Sequence, residues 1–203
     1  MIRRVQEKDI GQIIPIYKKA FEVSIRHIFG VKLPKNQVYQ DIFGLIFETY
    51  KNDFFVSEND GISGFIVAPY DDSKIVKNAI FKGYLLKWGW HWLTQKYGFG
   101  LRPFFKMFKD KIIFLRSKGR AKKITRSRVL SIAVDPEHQG KGIGAELLQA
   151  GLQNLRSKKA AKVILEVREY NLPAKRLYER FRFKEVGRFQ DTGGTWIQMV
   201  MEL

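Results

Sequence analysis

A short β-branched run, a Pro-marked turn and three alternate glycines occupy residues 129–144, and that succession admits few local folds. Val129, Leu130, Ile132, Ala133 and Val134 form an apolar run closed by Asp135-Pro136, which reads as a buried strand. Ile143, Leu147, Leu148, Leu152 and Leu155 then recur at helical spacing, so a helix begins near Gly142. Gly140, Gly142 and Gly144 leave no Cβ over the backbone between them. The N–H groups there can turn towards one point, beside the unpaired amides and positive dipole end of the helix. Such a place takes an anion, and a diphosphate fits it.

Two familiar phosphate loops do not fit. The P-loop needs Ser or Thr after Gly-Lys, and Gly140-Lys141 is followed by Gly142. The dinucleotide fingerprint needs an acidic residue about 20 residues on that opens a second βαβ unit. Glu166 lies near that distance, but a helix and two antiparallel-looking strands follow it. Gln139-Gly140-Lys141-Gly142-Ile143-Gly144 resembles instead the (Arg/Gln)-x-x-Gly-x-(Gly/Ala) loop of the GNAT superfamily of N-acetyltransferases. Downstream, Asn171-Leu172-Pro173-Ala174-Lys175-Arg176-Leu177-Tyr178 is similar to that family's Asn-x-x-Ala-x-x-Leu-Tyr segment, in the family's order and spacing. With Leu165-Glu166-Val167-Arg168 ahead of it, this half looks most like the ribosomal-protein alanine N-acetyltransferase branch.

The resemblance implies an N-acetyltransferase that uses acetyl-coenzyme A as co-substrate. In that family the two central parallel strands splay apart, and the pantetheine arm lies in the gap against the first of them, here Ile132, Ala133 and Val134. The pyrophosphate would sit on the N–H groups of Gly140, Lys141, Gly142, Ile143, Gly144 and Ala145, with Gln139 and Lys141 adding contacts. Asn171, Ala174 and Tyr178 would complete the cofactor side. A substrate amine attacks the thioester directly, which agrees with a chain that has no cysteine. By resemblance Tyr178 is the acid that protonates the leaving thiolate; the alternative is a core-edge tyrosine whose hydroxyl is satisfied locally. A backbone N–H near Val134 would hold the oxyanion. Glu166 breaks an apolar strand, where partial desolvation would raise its pKa and suit a base. Its alternative role is partner to Arg168 or another basic side chain. An α-amine, with pKa near 8, needs little help from a base; a lysine-like amine near 10 needs more.

Length and composition bound the rest. At 203 residues and 45% apolar content, the chain suits one domain with a sizeable core. The lack of cysteine and of an apolar N-terminal run suits a cytoplasmic protein. His27, His91 and His138 show no ligand spacing, so no metal is expected. The net charge of +17 is concentrated. Between residues 73 and 128 stand sixteen Lys or Arg and a single acid, Asp110, leaving the remainder near neutral.

The expected fold is a mixed α/β one: a GNAT-like twisted mixed sheet flanked by helices. A strand over residues 2–5 precedes one amphipathic helix over 7–24, with Ile10, Ile13, Ile14, Tyr17 and Phe21 inward and Pro15 kinking it or marking an early turn. A second helix covers 36–50, with Val38, Ile42, Leu45, Ile46 and Thr49 inward. Strands at 54–58 and 62–68 flank an Asn59-Asp60-Gly61 turn. After the glycine loop come a strand at 161–167, a helix capped by Asn171 with Ala174, Leu177, Tyr178 and Phe181 inward, and a closing hairpin over 183–202. The related branch ends that helix with glycine; here Phe181-Arg182-Phe183 demands a strained cap or another ending.

Residues 72–128 depart from the family pattern and read as a basic, aromatic helical insertion between the third and fourth strands. Phe81, Tyr84, Trp88, Trp90, Trp92, Tyr97, Phe99, Phe104, Phe105, Phe108 and Phe114 alternate with Lys and Arg. Two or three short helices are expected, broken at Gly98-Phe99-Gly100 and Arg102-Pro103. Three readings stand: a lid packed on the domain, an element lying on an anionic membrane surface, or a nucleic-acid contact. The Phe104–Lys109 stretch is more hydrophobic than a phosphate-tracking surface needs. The leading function is acetyl transfer to an amine-bearing acceptor. The alternatives are a GNAT-like binding module that docks through residues 72–128, and an acyltransferase for a lipid-like acceptor.

Overall fold

The computed structural model describes residues 1–118 and 124–203; residues 119–123 of the insertion, and the side chains of residues 111 and 114–118, lie outside the described part. Strands β1 (Ile2–Arg4), β2 (Phe54–Glu58), β3 (Ile62–Val67) and β4 (Ser131–Val134) form one antiparallel sheet in that order. Strands β5 (Lys162–Arg168), β6 (Lys184–Asp191) and β7 (Gly194–Glu202) form a second, with β7 central. One parallel bridge, Arg128 to Ile164, joins the two and makes the whole a mixed sheet.

Helices cover both faces. α1 (Ile10–Ala20) and α3 (Asn36–Tyr50) enclose Phe54, Val56, Phe65 and Val67 on one side. α7 (Ile143–Ser157) packs Leu147, Leu148, Leu152 and Leu155 on the other, against Ile66, Val163, Leu165 and Ile197. α8 (Leu172–Arg180) joins that second core through Tyr178.

Three expectations are corrected. The helix over 7–24 is instead a 3-10 turn at Glu7–Asp9, α1, and a separate α2 (Glu22–Phe29), bent at Phe21. The bend lets α2 reach α6 (Arg102–Lys118) of the insertion, a long-range contact that local periodicity does not report. α3 has the expected bounds but another inner face: Tyr39, Phe43, Ile46 and Tyr50 point to the core, Leu45 points to the insertion, and Ile42 is exposed. A helix held between a core and an insertion carries two apolar faces, and period alone does not separate them. Arg102-Pro103 is no break but the first turn of α6 (Arg102–Lys118), where a missing N–H costs nothing. α4 (Lys74–Phe81) and α5 (Tyr84–Leu93) precede it, divided by left-handed Gly83.

α8 ends as its sequence demands. Arg182 stands at φ +65°, with its N–H on Glu179 O (2.9 Å) and the Phe183 N–H on Tyr178 O (3.0 Å). This is a Schellman ending with arginine in glycine's place.

Candidate active site

β4 and β5 touch only where they begin. Val129 N–H donates to Ile164 O (2.9 Å) and Ile164 N–H to Ser127 O (3.1 Å); beyond this, β4 stays with β3 and β5 with β7. The strands therefore fork. Asp135 N–H donates to Ser63 O at 2.8 Å, and Ala133, paired with Phe65, is in phase with it. Alternate residues of an antiparallel ladder turn towards the partner strand. The backbone groups of Ile132 and Val134 thus turn away from β3 into the fork, where Val134 O accepts Gln139 Nε2 at 3.2 Å. Ala133 turns its backbone to β3 and its buried side chain to the α1–α3 core, so only two of the three expected strand residues address the fork.

The glycine loop closes the open end of this fork. Gly140 (φ +79°) and Gly142 (φ +83°) are left-handed, and Gly142 is the N-cap of α7. A Cβ on either would meet no atom within 4 Å, so open space lies over both; the dihedral, not crowding, requires glycine. The N–H groups of Gly140, Lys141, Gly142, Ile143 and Gly144 make no hydrogen bond among the described residues. Ala145 N–H is already committed to Gly142 O at 2.9 Å, so the amide cradle is five residues long and ends at Gly144. A Cβ on Gly144 would stand 3.5 Å from Leu177 Cδ2 and 3.7 Å from Val134 Cγ2, which marks where α7, α8 and β4 converge. Gln139 and Lys141 are exposed beside the cradle.

α8 begins at this convergence. Asn171 Oδ1 accepts the Ala174 N–H at 3.2 Å and caps the helix, with Pro173 in its first turn. Tyr178 is buried, its ring 5.9 Å from that of Phe183. Its hydroxyl makes no hydrogen bond among the described residues, so it is not the locally satisfied tyrosine that was its alternative reading. Burial pushes the phenol up to about 12, which keeps it a neutral proton donor.

Glu166 accepts from Arg128 Nη1 at 3.1 Å and from Gln198 Nε2 at 3.3 Å. Arg128 Nε also donates to Asp72 Oδ2 at 3.2 Å. Arg168, the other basic partner considered for Glu166, is taken by Asp191 through two bonds of 2.8 Å, with its guanidinium 4.0 Å from the Trp196 ring centre. Burial works against the Asp191 carboxylate, but Arg168, Trp196 Nε1 and Gly193 N–H outweigh it and hold its pKa below the ordinary value. Arg128, Asp72 and Gln198 carried no signal in the sequence, because Arg128 reads there as the end of a basic run and Asp72 as an ordinary turn residue.

The insertion is anchored along α3, where Glu48 accepts from Lys82 Nζ (2.9 Å) and Tyr84 Oη (2.7 Å), and also at Asp41 and through α6. Asp41 of α3 receives Tyr97 Oη (2.7 Å) and Gln37 Nε2 (3.1 Å), and pairs with His91 Nδ1 (2.6 Å) and Lys87 Nζ (3.0 Å). On α6, Lys106 Nζ donates to His27 O, and Asp110 accepts the Thr192 N–H at 3.1 Å in the β6–β7 turn. His27 Nε2 meets Thr192 Oγ1 at 2.9 Å, so α2, α6 and that turn are tied together.

The profile of the "Acetyltransferase (GNAT) family" matches residues 112–183, which span the fork, the cradle and α8. An N-alpha-acetyltransferase of Sulfurisphaera tokodaii is 30% identical over 187 residues, 91% of this chain and 80% of that protein. An N-alpha-acetyltransferase of Saccharolobus solfataricus is 41% identical over 64 residues; that match spans 31% of this chain and only 38% of the relative's length. Among solved structures, an N-acetyltransferase from Staphylococcus aureus Mu50 superposes with a TM-score of 0.64 at 20% identity, covering 99% of this chain and all of that one, which speaks for the fold.

Proposed function

The chain belongs to the GNAT acetyltransferase family, and from that premise we propose that it moves an acetyl group from acetyl-coenzyme A to the α-amine at a peptide N-terminus. The observation that carries this is the run of five unpaired amides, residues 140–144, continuous with the outward backbone of Ile132 and Val134. A diphosphate and an amide-bearing arm need these two features in this order. The names of the Saccharolobus and Sulfurisphaera relatives favour an α-amine acceptor.

Each residue then has a task. The cradle holds the diphosphate, and the Ile132 backbone pairs with the arm, which leads the thioester into the fork towards α8. The amine lone pair forms the new C–N bond at the thioester carbonyl carbon. Val134 N–H steadies the charge that gathers on the carbonyl oxygen. As the C–S bond breaks with its electron pair on sulfur, Tyr178 gives its proton to the thiolate and recovers one from solvent. The surplus proton of the amine passes to Glu166, directly or through water. An α-amine with pKa near 8 is partly neutral at pH 7, so a carboxylate already engaged by Arg128 and Gln198 suffices as its acceptor.

The test is thiol release from acetyl-coenzyme A with three peptides: free N-terminus without lysine, blocked N-terminus with lysine, and blocked without lysine. Release with the first alone is expected. Equal rates with the first two would overturn the α-amine assignment, and no release with any peptide or simple amine would overturn acetyl transfer itself.

A further inference from the structure

The insertion is built inside out. On α6 two polar residues fasten the helix to the domain, Lys106 on His27 O and Asp110 on the Thr192 N–H. Its apolar stripe, Phe104, Phe105 and Phe108 with Leu101 just ahead of the helix, follows the helical i, i+3, i+4, i+7 pattern and faces outward, with Phe105 and Phe108 71% and 67% exposed. α5 does the same: Tyr84 and His91 are buried, whereas Leu86, Trp90 and Leu93 form an outer stripe, 81%, 63% and 67% exposed. Val76, Ile80 and Leu85 continue the surface and wall an open apolar groove of about 390 Å³ against Ile42. Among the described residues, twelve of the 22 exposed large apolar side chains fall within residues 76–108, so the exposed apolar surface is concentrated in the insertion rather than scattered over the chain.

The charges around the patch choose its occupant. Lys77, Lys96, Arg102 and Lys109 are exposed and form no ion pair among the described residues. Asp110 is the single acid between residues 73 and 128, and it is turned inward to Thr192. A second copy of the chain would bring the same excess of positive charge and be repelled. Nucleic acid would satisfy the charges but not Val76, Ile80, Leu86, Leu93 or Leu101, which have no ring to stack on a base. An anionic bilayer satisfies both, taking the apolar stripes at the acyl boundary and the lysines at the headgroups. Among the described residues no helix is long and apolar enough to cross a membrane.

We propose that residues 74–109 form a docking face for an anionic lipid surface, with α5 and α6 lying in the interface and the rest of the domain held off the membrane. This reading does not depend on acyl transfer. The two stripes belong to helices clamped to the domain through Asp41 and Asp110, so the face is preformed rather than ordered on contact.

The experiment is co-sedimentation of the full chain with vesicles of phosphatidylcholine alone, or with about a third phosphatidylglycerol, at about 50 and about 500 mM salt. Pelleting with the anionic vesicles, reduced by salt and absent with neutral ones, is expected, together with a blue shift of tryptophan emission. Phe105→Ser/Phe108→Ser should weaken vesicle binding at least about tenfold while leaving the melting temperature unchanged, since neither ring is buried. No pelleting with anionic vesicles at low salt would overturn the proposal. So would equal binding by the double variant, or displacement of wild type from vesicles by single-stranded DNA.

Discussion

Arg128 and Glu166 meet at 3.1 Å at the fork of the two sheets, Arg128 holding the last bridge between them and Glu166 standing two residues beyond it on β5. One guanidinium thus joins the strand junction, Glu166 and Asp72. Both side chains are about one-fifth exposed, so solvent screens the pair in part. Arg128→Ala removes the guanidinium from the partly buried Glu166, which keeps only Gln198 Nε2 among the described residues, and is expected to cost about 1–2 kcal/mol in urea unfolding. A double-mutant cycle with Glu166→Gln should show a coupling of about 1 kcal/mol. Strictly additive effects would mean that the contact contributes nothing.

Tyr178 offers a clean separation of stability from chemistry. Its hydroxyl has no partner among the described residues, so Tyr178→Phe should leave the melting temperature and acetyl-coenzyme A affinity unchanged. Turnover should fall by about 100-fold, the scale of a lost general acid. Unchanged turnover would remove Tyr178 from the reaction and leave it a core residue.

Much of this site was legible before any fold was known. The strand, cradle and α8 appear in the sequence because glycine placement, an Asn cap and helical spacing are local signals, read within about ten residues. Arg128, Asp72 and Gln198 were not legible, since their meeting with Glu166 depends on how β4, β5 and β7 are brought together. The inner face of α3 was misread for a related reason. Ile42 and Leu45 look like core by period, yet they border the insertion, whose position follows from Asp41, itself a buried acid that hydropathy places outside. The insertion's aromatics were visible as composition; which of them α5 and α6 turn outward follows from the long-range ties at Asp41, Glu48, Lys106 and Asp110.

Arg182 carries a left-handed dihedral that glycine adopts without a Cβ penalty. Arg182→Gly should therefore stabilise the domain by about 1 kcal/mol, the cost of the left-handed region for a non-glycine residue less the added freedom of the unfolded chain. The measurement is the urea midpoint at constant slope. A decrease would mean that the arginine side chain contributes more than its backbone costs.

Asp41 sets a pH limit on the clamp that holds α5. Burial works against its carboxylate, but Tyr97, His91, Lys87 and Gln37 outweigh it and keep the folded pKa below the ordinary 3.8. Above 3.8 both folded and unfolded chains carry the ionised form and the full stabilisation is present. As pH falls below 3.8 the unfolded chain takes up the proton first, and stability is lost until the folded carboxyl also protonates. Asp41→Asn should unfold more easily than wild type at pH 7, with the difference shrinking below pH 3.8, as followed by urea midpoints across that range. A difference independent of pH would contradict the assignment.

The most direct test of the account is a thermal titration of the full chain with acetyl-coenzyme A, comparing wild type with Gly142→Asp and Gly142→Asn. Both substitutions tolerate the left-handed dihedral of this N-cap, and only aspartate brings a negative charge to the cradle. Wild type should gain about 2.7 kcal/mol at 100 times the Kd. The aspartate variant should gain nothing measurable, and the asparagine variant should keep part of the effect. A wild-type chain whose melting is unmoved by acetyl-coenzyme A, or an aspartate variant stabilised as fully as wild type, would contradict the assignment of residues 140–144 as the diphosphate cradle.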